Sequence, residues 1–527
     1  MSSFKVQVSA LFKKSLIIYF HNKKSLFKDL LLPIITALFI ISNDSKENQF
    51  LPIQFLFPIS LLGHIRSILV DVVMDKSEKY KEYLLINGVT HSAYLSSVLI
   101  FAYFKCLLFT IITCSGFLFI SGLSFEERIN FFGMYFLVAV ASSHFALLIT
   151  TFFSNKELCA DIGAFLYSIL SFLYIAAIET GEPFWYYLSV VFPQNTLAFA
   201  VGKDQTENSF NFSTSAMYAY ILFDGTIYFL LYMYFDQVLP NEYGIKKPWL
   251  FFITENCQRR QANFREESEN VTMLDYEEYN QMIPEASQSD DSSALHHETF
   301  DNPENLAKTI DIKNISKVFG EEKAVDNLSM MIYEKQIFCL LGHNGAGKTT
   351  TINILTGLYR STSGEVFYGN GEPFSTNFQK IRKTIGLCNQ QDILYNDLTT
   401  RQHLELLGRI KGLDGRELER EIDSAIRKLN LTTEAHKTSK TMSGGNRRKL
   451  SLALAIIGNP KIIFLDEPTS GMDPNSRRFV WSIIKDLKNQ GKTIVLTTHH
   501  LDEADELADR LGVMVKGKLF ALGSSEF

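Results

Sequence analysis

The segment GHNGAGKTT at 342–350 constrains the fold of this chain more than any other stretch. It fits the pattern G-x-x-x-x-G-K-[ST], in which glycines let backbone N–H groups turn toward phosphate oxygens at the start of a helix. The preceding IFCLL (337–341) predicts a buried strand, and the following TTTINILTGL (349–358) predicts a helix. A single match could also be a glycine-rich turn that only resembles a phosphate loop. Other motifs in the chain must therefore distinguish the two interpretations.

The phosphate loop supplies a set of candidate ligand-binding residues. They are Gly342, Asn344, Gly345, Gly347, Lys348, Thr349 and Thr350. The Lys348 ammonium can reach the β- and γ-phosphates of a nucleotide, and the Thr349 hydroxyl can ligate Mg²⁺. The pattern therefore predicts a nucleotide site that uses a magnesium ion.

Length and composition indicate several domains. A chain of 527 residues is too long for one core, and its mean hydropathy of +0.04 averages an apolar first half and an ordinary soluble second half. The net charge of −6 argues against a nucleic-acid partner, and none is predicted. The six cysteines are scattered without CxxC pairs, so neither a disulfide framework nor a zinc site is indicated.

The first half carries apolar segments of membrane-spanning length. The predicted spans are 25–42, 51–70, 95–117, 131–153, 158–178 and 217–235. The stretch 131–153 contains no Asp, Glu, Lys or Arg, and lysines before residue 29 place the N-terminus in the cytosol. If the phosphate loop is cytosolic as well, five crossings between 51 and 235 require a further crossing between 28 and 51, which gives six. The predicted domains are a transmembrane domain at 1–252, an acidic, Ser-rich linker at 253–308 and a nucleotide-binding domain at 309–527.

Some membrane-half features allow two interpretations. Residues 10–20 have apolar positions at helical spacing, which fits a helix on the membrane surface or an ordinary amphipathic core helix. Lys105, His144 and Asp224 lie inside predicted spans. A Lys105–Asp224 ion pair is one interpretation, and snorkelling or a structural interhelical bond is the other. The linker is predicted to be a solvated spacer, with a phosphorylation region as the alternative.

A second motif, KIIFLDEPTSGMDP at 461–474, predicts a buried strand that ends in two carboxylates. Asp466 is placed to hold Mg²⁺ through water, and Glu467 to orient or deprotonate an attacking water. Capping of the next helix is the structural alternative. In MSGGNRRKLSLALAIIG (442–458), a Ser-Gly-Gly turn precedes a helix and forms another anion site. Since the phosphate loop already cradles its own nucleotide, this turn predicts a contact to the γ-phosphate on a partner domain.

The ordered motifs GHNGAGKT, Gln390, MSGGN, LDEPTSGMDP and TTHH resemble the ATPase domain of ABC transporters, from residue 309 to the end of the chain. The resemblance implies an α/β P-loop NTPase domain that uses ATP and Mg²⁺. Four further roles follow from it. Phe319 would stack on adenine, Gln390 would sense Mg²⁺ and the membrane domain, Asp473 would be the D-loop aspartate, and His499 would meet the γ-phosphate, with His500 as the alternative. The signature motif would contribute Ser443, Gly444 and Gly445, although it reads MSGGN where the family more often has LSGGQ.

Two segments of the first half resemble ABC subfamily A, whose members are largely lipid exporters. They are FDQVLPNEYGIKKPW (235–249), similar to an exit segment, and EKYKEYLLINGV (78–89), similar to a first cytoplasmic coupling helix. The subfamily's order of span, ATPase, span, ATPase is half present. The outer loop 43–50 is short where a large domain is usual, and the chain stops at Phe527. A half-size or truncated protein is therefore expected.

The sequence thus predicts a multi-domain membrane protein, with a six-helix transmembrane domain followed by an ABC-type ATPase domain. The expected activity is ATP hydrolysis coupled to movement of lipids or other hydrophobic substrates. The expected partners are membrane lipids and a second nucleotide-binding domain, from a homodimer or a related half-transporter. The alternative is a non-transporting ATP-binding membrane regulator, or a truncated subunit of a full-size transporter.

Overall fold

The computed structural model describes residues 4–42, 59–116, 124–173, 177, 183–196, 213–239, 249, 296–297, 307–369 and 371–524. The described helices of the first half are α1 (Phe4–His21), α2 (Lys23–Ser42), α3 (Leu62–Ser77), α4 (Tyr80–Ile86), α5 (His91–Ser115), α6 (Phe125–Thr150), α7 (Lys156–Ser171), α8 (Pro183–Val190) and α9 (Thr214–Val238). Helix α8 lies in the stretch 179–216, for which the aromatic, apolar sequence predicts an outer loop with short helices at the membrane interface.

Three helices, α5, α6 and α9, are long and apolar enough to cross a membrane by length and composition, among the residues the structure describes. Helix α2 has 20 residues but carries charges in its first turns, while α3 and α7 have 16 residues each. The predicted span at 51–70 overlaps α3, which begins at Leu62 and continues beyond the predicted end to Ser77. Residues 51–58 lie outside the described part.

The predicted ion pair between Lys105 and Asp224 is wrong. The Lys105 ammonium donates to Ser67 Oγ at 2.8 Å and to Asp71 Oδ2 at 2.7 Å, so it is bound to α3. Asp224 lies on α9, which packs on α6 instead. The residue next to it, Gly225, lies so close to Ala141 of α6 that an added Cβ would be 3.2 Å from the alanine Cβ. Which helices pack together, rather than how deep each residue lies in the membrane, therefore determines the partner of Lys105.

Helix α1 packs on protein along one face. Val8 and Leu11 are buried in a cluster shared with the ATPase domain. Gln7 Nε2 donates to the Gly88 carbonyl at 3.0 Å, and the Lys13 ammonium meets Glu405 Oε1 at 2.7 Å. This face has the character of an amphipathic core helix, one of the two interpretations of residues 10–20.

The second half is an α/β domain with two sheets. Its strands are β1 (His296–His297), β2 (Lys308–Phe319), β3 (Glu322–Tyr333), β4 (Ile337–Leu341), β5 (Ser363–Tyr368), β6 (Glu372–Pro373), β7 (Ile385–Cys388), β8 (Ile462–Asp466), β9 (Thr493–Thr498), β10 (Arg510–Val515) and β11 (Lys518–Gly523). Its helices are α10 (Lys348–Leu355), α11 (Phe374–Arg382), α12 (Thr400–Lys411), α13 (Gly415–Lys428), α14 (Gly444–Ile456), α15 (Pro474–Asn489) and α16 (Leu501–Leu507).

The central sheet has the order β1-β11-β10-β4-β9-β8-β7, and the second sheet has the order β3-β2-β5-β6. Strands β4, β9, β8 and β7 are mutually parallel and fully or largely buried, which suits their continuous apolar runs. The predicted strand before the phosphate loop and the predicted strand ending in Asp466 are confirmed as β4 and β8. The helices predicted after the phosphate loop and after Ser443 are confirmed as α10 and α14.

The predicted linker and exit segment fall mainly outside the described residues. Within 253–308, His296 and His297 form a short strand that pairs in parallel with Ala521 and Leu522 of β11. The linker therefore contributes an edge strand to the central sheet, which its composition does not predict. Of the segment 235–249, the positions 240–248 are not described.

The end of α9 is fixed by a buried charge cluster. The Asp236 side chain is 2% exposed, and its carboxylate lies 3.5 Å from Lys76 Nζ, 2.9 Å from Lys81 Nζ and 3.4 Å from His91 Nε2. This cluster ties α9 to α3, α4 and the start of α5. Removing one partner from a buried ion cluster leaves uncompensated charge.

We therefore expect Asp236→Asn to lower the free energy of unfolding by about 3 kcal/mol, since two lysines would lose their counterion. The measurement is thermal unfolding of the purified chain in detergent. Asp161→Asn is the matched control, because its ion pair with Arg66 at 2.7 Å is solvent-exposed and its loss should cost less than about 1 kcal/mol. Equal effects of the two substitutions would contradict a structural role for the Asp236 cluster.

Candidate functional site

Four adjacent parallel strands deliver the predicted site residues to one edge of the central sheet. The phosphate loop follows β4, Gln390 follows β7, Asp466 and Glu467 end β8, and His499 follows β9. Since parallel strands have their carboxyl ends at the same edge, segments far apart in sequence converge there. The site is thus a consequence of strand order.

The phosphate loop is held in a shape that depends on glycine. Gly345 and Gly347 have φ values of +80° and +99°, and Gly347 caps the start of α10. A Cβ on Gly347 would lie 2.5 Å from the Ala324 carbonyl oxygen. The Lys348 ammonium folds back to donate to the carbonyls of Gly342 at 2.6 Å and His343 at 3.1 Å. Burial lowers the pKa of Lys348, against the opposing effect of the nearby carboxylates.

Asp466 is joined to two hydroxyl groups. Thr349 Oγ1 donates to Asp466 Oδ1 at 3.2 Å, and Thr497 Oγ1 donates to the same oxygen at 2.5 Å. Burial raises the pKa of Asp466, and the two hydroxyl bonds partly oppose that shift. A hydroxyl and a carboxylate oxygen are hard ligands of the kind Mg²⁺ takes together with substrate phosphates. Among the described residues no group of three or more His, Cys, Asp or Glu could hold a metal.

Glu467 lies at the centre of the charged groups. Gln390 Nε2 donates to Glu467 Oε2 at 3.2 Å, while His499 Nδ1 and Lys348 Nζ lie 3.4 and 3.9 Å from Glu467 Oε1. Glu467 itself has a φ of +46°, in the left-handed region that non-glycine residues rarely occupy. Of the two adjacent histidines, His499 is the one placed against this carboxylate, whereas the His500 amide donates to Thr498 Oγ1.

The remaining predicted residues have other partners, and no hydrogen bond or ion pair within the described ranges links them to the Glu467 cluster. Ser443 Oγ caps α14 by accepting from the Asn446 amide at 3.3 Å, and Asp473 Oδ1 caps α15. Phe319 is 42% exposed and meets the Tyr359 ring edge-on at a centroid distance of 5.3 Å. Gly444 and Gly445 face open space, with no heavy atom within 4 Å of an added Cβ.

Arg448 is a site residue that sequence reasoning missed. Its buried guanidinium donates to the carbonyls of Asp466, Glu467, Pro468, Asn389 and Gln390, and to Asp392 Oδ1 at 3.1 Å. One side chain therefore fixes the strand end that carries both carboxylates and the segment that carries Gln390. A signal was present, because a cation in the first turns of a helix opposes the helix dipole and needs specific partners.

The segment after Gln390 contacts the membrane half. Tyr80 of α4 donates its hydroxyl to the Leu394 carbonyl at 2.9 Å, and its ring stacks on Tyr395 at 4.2 Å. The backbone N–H of Tyr395 donates to His403 Nε2 at 2.9 Å. The helix that resembles a coupling helix thus lies against a segment whose other end contacts Glu467.

Comparison with known proteins agrees with these motifs. Residues 325–470 match the family model described as ABC transporter. Human phospholipid-transporting ATPase ABCA3 is 34% identical over 517 residues, covering 90% of this chain and 29% of its own length. Mouse glucosylceramide transporter ABCA12 is 31% identical over 91% of this chain and 20% of its own length. The chain thus resembles ABC transporters of subfamily A over about 90% of its length.

The subfamily A-like chain spans less than a third of the length of these curated relatives. Human retinal-specific phospholipid-transporting ATPase ABCA4 is 31% identical over 89% of this chain and 22% of its own length. Among solved structures, a dimeric bacterial ABC transporter cassette is 27% identical and covers 41% of this chain and 98% of its own, with a TM-score of 0.39.

We expect Arg448→Lys to lower the free energy of unfolding by about 3 kcal/mol, because an ammonium cannot reproduce the fork of donors and several buried carbonyls lose their partner. Thermal unfolding of the purified chain measures it. Arg420→Lys, on the exposed side of α13, is the control and should change stability little. A wild-type melting profile for Arg448→Lys would show that the network is dispensable.

The buried His403 makes the contact to α4 sensitive to acid. Its Nε2 accepts from Tyr395, so the folded state needs the neutral imidazole, and burial lowers the pKa of His403 to about 4. An unfolded histidine has a pKa of about 6.5, so the stabilisation is complete above pH 6.5 and declines as the pH falls toward 4. Between pH 7 and pH 5 the expected loss from this group is about 2 kcal/mol.

The measurement compares thermal unfolding of the wild type and His403→Gln at pH 7 and pH 5. Glutamine does not titrate in this range, so its difference between the two pH values should be smaller than that of the wild type by the His403 contribution. The same pH dependence in both proteins would exclude His403 as the titrating group.

Proposed function

We propose that this chain hydrolyses ATP to drive lipids or other hydrophobic substrates across a membrane. The observation that carries the proposal is the convergence of Lys348, Asp466, Glu467, Gln390 and His499 at one sheet edge, in a domain that contacts the membrane half through Tyr80 and Tyr395. A site of this kind, with a direct contact to apolar helices, suits hydrolysis coupled to a conformational change.

The chain's own groups divide the work of phosphoryl transfer. Backbone N–H groups at the start of α10 and the Lys348 ammonium would bind the phosphates. Thr349 and Asp466, with Gln390 nearby, would hold Mg²⁺, which would neutralise developing charge on the phosphate oxygens. Glu467 would orient the attacking water and accept its proton, and His499 would contact the γ-phosphate. Phe319 would support the adenine ring on the exposed side.

A second nucleotide-binding domain would complete the site. Ser443, Gly444 and Gly445 form a helix N-terminus that faces open space rather than this chain's own phosphate loop. Such an N-terminus suits a phosphate brought by a partner. Asp473, at the start of α15, would lie at the same junction. We infer that the partner is a second copy of this chain or the ATPase domain of a related half-transporter.

The proposed topology retains six crossings with the N-terminus and the ATPase domain in the cytosol. Helices α5, α6 and α9 support three of them directly by length and composition. The packing of α3 and α7 on each other and of α2 on α5 supports counting these shorter or charged helices with the bundle. Helix α4 contacts the ATPase domain, so the α3–α5 connection lies on the same side of the membrane as that domain.

Lipid is the proposed cargo because relatives that align along most of this chain are named for phospholipid and glucosylceramide transport. The described membrane helices also expose many large apolar side chains, as on α7 and α9. Such surfaces face acyl chains in a bilayer.

The decisive experiment is ATP turnover by the purified chain in lipid nanodiscs, with and without Mg²⁺. Glu467→Gln keeps the shape of the side chain but removes the base, so we expect turnover to fall by roughly 100-fold or more. Glu372→Gln is the matched control, since Glu372 lies at the surface of the second sheet and binds Lys380. It should leave turnover near the wild-type rate.

Turnover that depends on Mg²⁺ and rises with particular lipids would support a self-sufficient pump. Binding of ATP without turnover would contradict it. That result would favour the alternative of a membrane regulator, or of a subunit that needs a second ATPase domain from another chain.

A further inference from the structure

A cleft lies between α1, α3 and α5, on the side of the membrane bundle that faces the ATPase domain. The space between these helices is about 810 Å³ when the open solvent at its mouth is included. On α5 the cleft extends from Tyr94 to Lys105, a distance of about 16 Å along a helix. None of the residues assigned to ATP chemistry lines it.

Two positive and two negative side chains line this cleft. Lys105 is 1% exposed and bonds Asp71 Oδ2 at 2.7 Å, and Lys14 Nζ lies 3.7 Å from Asp75 Oδ2. Buried charge is costly and is retained near a bilayer chiefly where it has a role. Each of these lysines lies within 4 Å of one aspartate of the lining, so the two positive and two negative charges that line the cleft balance.

The hydroxyl of Tyr19 is the second observation. Tyr19 lines the cleft and is 5% exposed, yet its oxygen has no hydrogen-bond partner among the described residues. Its ring lies under the Lys105 ammonium, at 4.8 Å from Nζ to the centroid. A buried tyrosine oxygen nearly always has a partner. A hydroxyl donor that lies near a lysine and has no acceptor indicates a site for an oxygen atom of a ligand.

We propose that this cleft binds the zwitterionic headgroup of a phospholipid. The phosphate would accept hydrogen bonds from Tyr19 and Lys105, and the ammonium would lie against Asp71 or Asp75 and the Tyr94 ring. The proposal rests on the proposed function only in placing the chain in a membrane. It assigns a ligand site within a single chain.

The charge balance selects the class of ligand. A bare anion would gain the two lysines but would also face the carboxylates of Asp71 and Asp75, whereas a headgroup with both charges satisfies all four groups. The rest of the wall combines apolar side chains, such as Ile18, Val98 and Phe101, with the small polar residues Ser15 and Ser97. This lining suits acyl chains and glycerol and disfavours a free inorganic phosphate.

Occupancy of the cleft would reach the ATPase domain through Lys14. The Lys14 ammonium lies 4.7 Å above the centroid of the Tyr395 ring, the same ring that stacks on Tyr80. Asp75 accepts a hydrogen bond from the Tyr94 hydroxyl at 2.9 Å. A ligand phosphate that draws Lys14 toward the cleft would remove it from Tyr395, so headgroup binding and the contact after Gln390 are linked.

The test measures binding of dihexanoylphosphatidylcholine, at concentrations below micelle formation, to the detergent-solubilised full chain by calorimetry without ATP. Tyr19→Phe removes only the unpartnered hydroxyl, so the fold should be retained while affinity falls about five- to tenfold. Lys105→Met should weaken binding further. Tyr218→Phe is the matched control, because its hydroxyl bonds the Asn130 carbonyl far from the cleft.

Dihexanoylglycerol, which lacks the headgroup, and inorganic phosphate should bind at least tenfold more weakly than the phospholipid. Equal affinity for wild type, Tyr19→Phe and Lys105→Met would overturn the site. Phosphate binding as tight as that of the phospholipid, with the same sensitivity to Tyr19→Phe, would overturn the headgroup assignment in favour of a small-anion site. Because no ATP is used, a chain that lacks turnover can still pass or fail this test.

Discussion

The buried guanidinium of Arg448 is the interaction on which the candidate site depends. It is the common donor to the carbonyls that follow β8 and to the segment that follows β7, so the two carboxylates and Gln390 have one shared anchor. Together with Thr497, which accepts a hydrogen bond from the Glu467 amide, it holds the unusual backbone of Glu467 at a φ of +46°. Because Arg448 belongs to the helix that starts at Ser443, the same side chain connects this chain's own catalytic edge to the surface that would meet a partner domain.

This anchoring extends to the membrane half over a few residues. The segment from Asn389 to Tyr395 has a buried partner at each end. At its start the Asn389 carbonyl accepts from Arg448. At its end the Tyr395 ring stacks on Tyr80, and the Tyr395 N–H donates to His403. Both ends are bonded to buried groups, so the segment transmits displacement instead of absorbing it. A shift of α4 would therefore alter the distance between Gln390 and Glu467, and a change at Glu467 would be felt by α4.

Much of the ATPase domain could be predicted from the sequence, because its catalytic residues belong to short local motifs and its strands are short apolar runs. Lys348, Asp466, Glu467 and His499 follow such runs, and parallel strand order brings them together. What could not be predicted depends on which face of an element meets which neighbour. Hydropathy places Lys105 in a helix but does not reveal that this helix turns it toward Asp71 of α3. The position of Arg448 in the first turns of a helix indicates a need for partners, but the sequence does not identify them, since most are backbone carbonyls.

The ATP site and the cleft share one physical arrangement. In each, lysine is held by groups of the protein itself: Lys348 by the carbonyls of its own loop, and Lys105 by Asp71. A ligand can bind only by replacing these contacts, so binding is tied to movement of the groups that it displaces. At the cleft the displaced group includes Lys14, which also covers Tyr395. A headgroup that carries both charges can replace both partners of each ion pair without leaving a buried charge unmatched. The charge of the ligand, more than its size, therefore decides whether binding in the cleft affects the ATPase domain.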